Sequence, residues 1–428
     1  MEINTAIVAG TGKSGISATK LLVNHGVKVY LFDENKDRDI EAIKEKTGDS
    51  ELVQIELGEL GEDALSSSQL MVISPGIPVD APFTDVVRNA GIPIWSEIEL
   101  AYHYGKGKIA AITGTNGKTT TTALVGEIVK AHNAKTIVVG NIGIPYTELC
   151  DTTDDDSDTV AEISSFQLET VIDFHPNVSA ILNLTPDHLN RHYTFENYGN
   201  VKFSITKNQT MDDVTVLNYD DEHTRAMGEK AKDHCHVVYF SRLEKPAGGV
   251  YVEDGDIILE DGDKKINVLA IKDLKLMGAH NVENVLAAVG ISYYMGVPVD
   301  VIRDVATSFK AVAHRIEYVD TIDGVAYYND SKGTNPDAAI KGIQAMVAPT
   351  FLIGGGYDKG SEYDEWIEAF DGKVKWLVLI GQTAQKIADC AKRHGFNSII
   401  FEENLQDAVA YCHENAVDGD AVLLSPAC

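Results

Sequence analysis

No two of the five cysteines (Cys150, Cys235, Cys390, Cys412 and Cys428) form a C-x-x-C pair, and their number is odd. That spacing argues against a disulfide framework or a zinc site, and a reducing compartment fits best. Positive charge is also scarce. Lys and Arg number 36 against 65 Asp and Glu, a net charge of −29. Long-range repulsion of that size disfavours nucleic acid or an anionic membrane as partner, while an anionic small substrate stays open if cations gather locally. The first residues, Met1 to Gly10, have neither a basic stretch nor a long apolar segment. No targeting segment is visible, so a cytoplasmic protein is expected, and a monomer with small-molecule partners. Short-period repeats and low-complexity tracts are missing too, and the acidic run Asp151–Asp158 reads as a solvated loop.

What is present is ordinary globular material: 428 residues, 44% hydrophobic and 24% charged, enough for about three cores. The first third alternates strands and helices: Ile3–Val8, a helix from about Ile16 to His25, then Lys28–Phe32, with Leu70–Ile73 later and a boundary near residue 97. A second alternation starts at Lys108–Thr113 and runs through a helix near Thr119–His132 and strands Thr136–Val139, Thr159–Glu162 and Val178–Leu182. Between Gly248 and Leu269, short period-2 strands separated by Asp254-Gly255 and Asp261-Gly262 predict a small antiparallel portion. A helix around Val282–Met295 precedes a third alternation: Val325–Asn329, Thr350–Ile353, Val374–Ile380, Ser398–Phe401 and Asp420–Leu424. The fold class is therefore α/β, three domains with open, mostly parallel sheets, divided at 1–97, 98–311 and 312–428.

The strongest chemical signal is Gly114-Thr115-Asn116-Gly117-Lys118-Thr119-Thr120, directly after a strand and opening a helix. Backbone amides there cradle phosphates, Lys118 reaches the β/γ-phosphates and the Thr119 hydroxyl holds Mg²⁺. Ile112 stands where a strict Walker motif has glycine, so the match is to a shorter variant. Gly10-Thr11-Gly12-Lys13-Ser14-Gly15, with Asp33 ending the next strand, has the spacing of a dinucleotide fingerprint. It predicts a nucleotide diphosphate site and keeps an NAD-dependent oxidoreductase open as a rival. Glu162 ends a strand beside the phosphate loop, well placed for Mg²⁺. His188 lies in a loop after another strand, and Lys202 falls on a predicted helix, where composition alone favours a solvated lysine. Arg315, Lys332 and Lys359 approach strand ends of the third alternation, local positive charge that suits phosphate or carboxylate substrates.

Four blocks in this order, Gly114–Thr120, Glu162–Leu168, His280-Asn281-Val282-Glu283-Asn284 and Asn329–Asn335, resemble the Mur ligases across essentially the whole chain. Folylpolyglutamate synthetases share the general ligase plan but lack the N-terminal UDP domain. The resemblance implies an ATP-dependent amide-bond-forming ligase of peptidoglycan precursor synthesis. The N-terminal glycine fingerprint, Ser164–Leu168 and Asn329-Asp330-Ser331-Lys332 point to the D-glutamate-adding member, whose other substrate is UDP-N-acetylmuramoyl-L-alanine. Another Mur-type amino-acid ligase and a protein that uses ATP only as a conformational switch are the further alternatives.

Carried over by position, the resemblance implies that Gly10, Thr11, Gly12, Lys13, Ser14, Gly15, Asp33, Ser74, Pro75 and Gly76 serve the UDP part, and Asn141 and His188 the muramoyl-alanine part. Gly114–Thr120, Asn281, Asn284, Arg315 and Asp330 would serve ATP. Thr119, Glu162, His188 and Lys202 would organise Mg²⁺, two ions being expected, with Lys202 matching the lysine that the family carbamylates. Lys332, Thr334 and Lys359 would gather the D-glutamate carboxylates and developing phosphate charge, with Lys118, Glu162, His188, Lys202 and Lys332 as the catalytic set. The family's pattern continues beyond Cys428, where a following loop and helix would contact D-glutamate, so weakened D-glutamate affinity is expected of a chain ending there.

Overall fold

Five strands lie at the start of the chain, mostly apolar except for the half-exposed β3: β1 (Thr5–Ala9), β2 (Lys28–Asp33), β3 (Val53–Leu57), β4 (Leu70–Ile73) and β5 (Ile94–Ser96). Runs of this kind suit parallel strands buried on both faces, and they pair in parallel in the order β3-β2-β1-β4-β5. This is a computed structural model, and it describes residues 3–141, 143–276, 278–310 and 316–428.

A second sheet has nine strands: β6 (Lys108–Thr113), β7 (Ile137–Gly140), β8 (Asp158–Glu162), β9 (Val178–Ile181), β10 (Val214–Asn218), β11 (His236–Ser241), β12 (Gly249–Glu253), β13 (Asp256–Asp261) and β14 (Lys264–Ala270). Their order is β14-β13-β12-β11-β10-β9-β6-β8-β7. Parallel pairing holds from β7 to β12, and β12 turns back on β13 antiparallel. The predicted antiparallel portion is thus the sheet's far edge. Asp254 and Gly255 both have positive φ, 53° and 84°, as the tight hairpin turn signalled by that dipeptide requires.

The third sheet holds β15 (Glu317–Ile322), β16 (Val325–Asn329), β17 (Thr350–Gly354), β18 (Val374–Leu379), β19 (Ile399–Phe401) and β20 (Ala421–Leu424), in the order β15-β16-β20-β17-β18-β19. It is parallel except for β15, which runs antiparallel to β16. β3, β5, β10, β11 and β15 were not among the expected strands. The first helix also starts earlier than expected, at Lys13 and not Ile16, because its first turn is polar and shows no apolar periodicity.

The chain forms two compact units. The first takes the described residues of Met1–Leu184, Thr194–Leu269 and Leu286–Val305, hence the first two sheets; the second takes those of Thr185–Tyr193, Ala270–Val285 and Ala306–Cys428. In the first unit one core runs from Val8, Leu22 and Leu31 through Ile98 and Tyr146 to Ala161, Ile181 and Leu217, so the two sheets share their packing. In the second, Trp366, Leu377, Ile387 and Leu423 centre the core. No helix among the described residues is long and apolar enough to cross a membrane.

Candidate active site

At the head of the first sheet, β1 ends in a sharp turn at Gly10 (φ 102°), whose amide donates to the Phe32 carbonyl at 2.7 Å. Gly12 caps the helix Lys13–Asn24, with open space above it. Gly15 is required by contact: a Cβ there would lie 1.8 Å from the Gly10 carbonyl oxygen. The turn and helix therefore meet backbone to backbone. Ser74, at the end of β4, aims its Oγ at the same crossing, buried and with no hydrogen-bond partner among the described residues. Pro75 and Gly76 follow in the adjoining turn.

Asp33 is more occupied than a ribose-binding carboxylate would need to be. Its Oδ2 accepts from the Thr11 amide at 3.1 Å, Thr11 Oγ1 at 2.6 Å and Arg38 Nε at 3.1 Å, and its Oδ1 from the Asn35 amide at 3.0 Å. Burial pushes this carboxyl up, but the hydrogen bonds from Thr11 and Asn35 and the Arg38 charge outweigh it and hold it below the usual range. Asp33 thereby pins the glycine loop.

The phosphate loop lies at the end of β6, with Gly117 (φ 83°) capping the helix Lys118–His132. That helix presents its free amides and positive dipole end to the loop. Lys118 Nζ folds back onto the carbonyls of Gly114 and Thr115, at 2.8 and 2.7 Å, and Thr119 and Thr120 are buried. Asn183, two residues past β9, braces the loop from outside. Its Oδ1 accepts from the Asn116 amide at 2.8 Å, its Nδ2 donates to the Asn116 carbonyl at 3.1 Å and its own carbonyl accepts from the Thr115 amide at 3.0 Å.

Glu162 ends β8, paired in register with Ile112 of β6 just before the phosphate loop. It is 2% exposed. Its Oε1 accepts from Asn141 Nδ2 at 3.1 Å, whereas Oε2 is buried with no hydrogen-bond partner among the described residues. A buried, unsatisfied carboxylate oxygen is costly unless something cationic completes it. A hard divalent ion held by Glu162, with the Thr119 hydroxyl, fits that donor set. After Glu162, Ser164 and Gln167 form a reciprocal capping box, and Gln167 Nε2 donates to Oε2 of buried Glu97 at 3.5 Å.

Lys202, on the helix Phe195–Phe203, is 1% exposed and not the solvated lysine that composition favours. Its amine donates to the Gly114 carbonyl at 2.9 Å and to Thr113 Oγ1 at 3.3 Å, and lies 4.8 Å from the centre of the Tyr198 ring. The Tyr198 hydroxyl in turn meets Thr115 Oγ1 at 3.1 Å. Lys118, Glu162, Asn141 and Lys202 thus gather around one strand edge in the first unit.

The remaining candidates belong to the second unit. His188 has φ 52°, donates its amide hydrogen to Asp187 Oδ1 at 2.9 Å and places Nε2 3.7 Å from Asp187 Oδ2. Asn335 Nδ2 donates to the same Asp187 Oδ2 at 3.4 Å, tying the His188 loop to the segment after β16. Asp330 is buried. Its Oδ2 accepts from Ser425 Oγ at 2.7 Å and its carbonyl from the Gly333 amide at 2.7 Å, which shapes the turn carrying exposed Lys332. Lys359 Nζ donates to the Thr334 carbonyl at 3.0 Å, so two of the three residues expected to donate to a dicarboxylate stand together. Asn281 and Asn284 join through a 3.0 Å side-chain bond at the start of the helix Ala279–Tyr294. Arg315 lies outside the described residues. Asn183, Glu97 and Gln167 had no expected role in the site; an asparagine two residues past a strand, or a glutamate opening a helix, is too common for spacing to single it out.

Three family descriptions cover almost the whole chain: Mur ligase MurD-like, N-terminal domain over residues 4–96, Mur ligase middle domain over 112–292 and Mur ligase, glutamate ligase domain over 314–428. The chain is 55% identical over 428 residues to a UDP-N-acetylmuramoylalanine–D-glutamate ligase of Lachnospira eligens, spanning 100% of this chain and 94% of that one. It is 46% identical over 426 residues to the enzyme so named in Clostridioides difficile, spanning 99% and 93%. Among solved structures, MurF of Acinetobacter baumannii matches with a TM-score of 0.65 at 16% identity over 98% of this chain and 90% of that one. MurC of Thermotoga maritima matches with a TM-score of 0.63 at 19% identity over 100% and 96%. The structural likenesses carry the fold alone, but the full-length sequence identities carry the family: this chain belongs to the Mur ligases.

Proposed function

We propose that this chain is an ATP-dependent ligase that joins D-glutamate to UDP-N-acetylmuramoyl-L-alanine for peptidoglycan precursor synthesis. The observation that carries the reading is the phosphate-loop edge of the second sheet, where Lys118 and a helix N-terminus stand beside a buried glutamate oxygen that lacks a partner. The names of relatives 46–55% identical over their length support the same substrates.

In this reading the glycine loop 10–15, with Ser74 and its turn, holds the UDP part, and Asn141 and His188 orient the muramoyl-alanine carboxylate. Lys118 and the amides of Gly114–Thr120 hold the ATP phosphates, assisted by Asn281, Asn284, Asp330 and Arg315. The carboxylate attacks the γ-phosphorus, ADP leaves, and an acyl phosphate results. The D-glutamate amine, positioned through Lys332, Thr334 and Lys359, attacks the acyl carbon; a tetrahedral intermediate collapses and expels phosphate. No covalent enzyme nucleophile is needed, so the protein contributes orientation and charge stabilisation. Magnesium held by Glu162, Thr119 and His188, with Lys202 as a carbamate, would supply Lewis-acid neutralisation of the phosphate charge. A carbamate gives that lysine oxygen ligands suited to a hard cation.

The test is a coupled assay of ADP and phosphate release with UDP-N-acetylmuramoyl-L-alanine, with and without D-glutamate and then across a panel of amino acids. Phosphate release that depends on D-glutamate is expected. Equal release without an amino acid, or greater release with another one, would overturn the assignment.

A further inference from the structure

We propose that Asp364, Cys390 and His394, on two helices of the second unit, form a binding site for a divalent transition-metal ion of the zinc class. The proposal stands apart from the ligase reading and uses none of its residues. Cys390 and His394 are four residues apart, at the end of the helix Ala384–Arg393 and its C-cap, and so share one face. Asp364 opens the neighbouring helix Asp364–Glu368. One ligand atom from each of the three lies within 4.8 Å of the others. Zinc bonds of about 2.0–2.3 Å set ligand separations of roughly 3.3–3.8 Å in a tetrahedron, so small side-chain rotations close the set.

The donor chemistry selects the ion. Thiolate, imidazole and carboxylate are zinc's ligands, whereas Mg²⁺ and Ca²⁺ take oxygen and reject the thiol. One thiolate and one carboxylate cancel the 2+ charge. The lack of a C-x-x-C pair removes the paired-cysteine zinc sites but not a mixed one whose ligands come from two helices.

The surroundings also suit a ligating histidine. His394 Nε2 lies 2.8 Å from Asp364 Oδ1, and Nδ1 on its other side lies 3.6 Å from Glu368 Oε1. When Nε2 gives up its proton to bind the metal, Glu368 is near enough to become the outer carboxylate that takes the Nδ1 hydrogen. The Cys390 sulfur is buried. Binding releases the thiol proton to solvent as the metal–sulfur bond forms. Arg393 competes for Asp364 at 3.4 Å, but its side chain is 60% exposed and free to swing into water. His394 and Asp364, 25% and 44% exposed, leave one open side for the ion to enter and for water as a fourth ligand.

The test is a Co²⁺ titration of the chelator-treated full-length chain in excess Mg²⁺, read by the thiolate-to-cobalt charge-transfer band. One equivalent of Co²⁺ is expected to give the band, and Zn²⁺ to abolish it by displacement. Cys390→Ser should remove the band while Cys412→Ser keeps it. His394→Gln and Asp364→Asn should each weaken binding by more than about a hundredfold, and Glu368→Gln by roughly ten- to a hundredfold with the band retained. Should Cys390→Ser fail to fold, the exposed His394→Gln decides. No band in the native chain, a band that survives in Cys390→Ser, or unchanged affinity in His394→Gln would each overturn the site.

Discussion

Lys202 is the residue whose setting differs most from its sequence appearance. A lysine in the last turn of a short helix reads as solvated, and only the tertiary packing against Gly114, Thr113 and Tyr198 removes it from water. A buried ammonium is unfavourable by several kcal/mol unless well paired, and conversion to a carbamate changes it from cation to anion beside the phosphate loop. Lys202→Ala is expected to lose roughly a hundred- to a thousandfold in kcat, with partial recovery on adding small carboxylates that restore oxygen ligands. Lys202→Arg, which keeps the charge and cannot be carbamylated, should stay inactive; full activity in either variant would refute the carbamate role. Gly15 gives a complementary test at the proposed UDP site. The Cβ of Gly15→Ala meets backbone at 1.8 Å with no flexible side chain to yield. Its dissociation constant for the UDP substrate, measured by titration calorimetry, should rise at least about tenfold while that for ATP stays unchanged. A matched loss for ATP would place the glycine loop in another role.

Among elements, burial alone did not decide legibility, since β10 is buried throughout and was not expected. Strands ending in chemistry, such as β6 before Gly114, β8 at Glu162 and β16 before Asp330, were readable because apolar runs stop at glycine or polar clusters. β15 was not, since its residues are mostly exposed and it is held by backbone pairing to β16. The helix Glu97–Tyr104 shows what sequence reading misses. Glu97 is buried, and its Oε1 accepts from the Thr147 amide at 2.7 Å and Thr147 Oγ1 at 2.8 Å, while Oε2 reaches Gln167 beside Glu162. Thr147 Oγ1, its own hydrogen on Glu97, also lies 2.9 Å from Ser17 Oγ, whose hydroxyl can donate to it, on the helix that opens at the glycine loop. The helix thereby links the glycine-loop edge and the Glu162 edge of the first unit. Burial, the largest influence, raises the Glu97 carboxyl above its ordinary range despite those hydrogen bonds. A carboxyl that titrates higher in the folded chain contributes stability below its unfolded pKa and loses it as pH rises through the folded value. Glu97→Gln keeps an acceptor for Thr147 and no charge. Its unfolding free energy should gain on the native chain as pH rises above the ordinary glutamate range. Parallel denaturant-derived stability curves above that range would show that Glu97 carries no buried charge.

At the scale of the whole molecule the governing number is the charge of −29, legible from composition alone. All three proposed substrates are anionic, so each approaches a repelling field before it reaches the cations. Those cations are few and local: Lys13 at the glycine loop, Lys118 at the phosphate loop, and Lys332 and Lys359 near the ends of β16 and β17. Their positions at strand ends could be read from the sequence, but Lys118's fold onto two carbonyls and Lys359's onto Thr334 could not, because both depend on loop geometry. Repulsion acts over the distance that salt controls. The Debye length falls from about 30 Å at 0.01 M to about 8 Å at 0.15 M, which screens the distant acidic surface while leaving contacts of about 3 Å within the sites nearly intact. Raising ionic strength over that range with an inert monovalent salt should therefore increase kcat/KM for the UDP substrate, by roughly two- to tenfold, and leave kcat little changed. The gain should shrink in variants that neutralise acidic residues of the Asp151–Asp156 run, because less repulsion remains to be screened. A steady fall of kcat/KM with salt would mean instead that the local lysines dominate the approach and that the net charge of the molecule does not govern encounter.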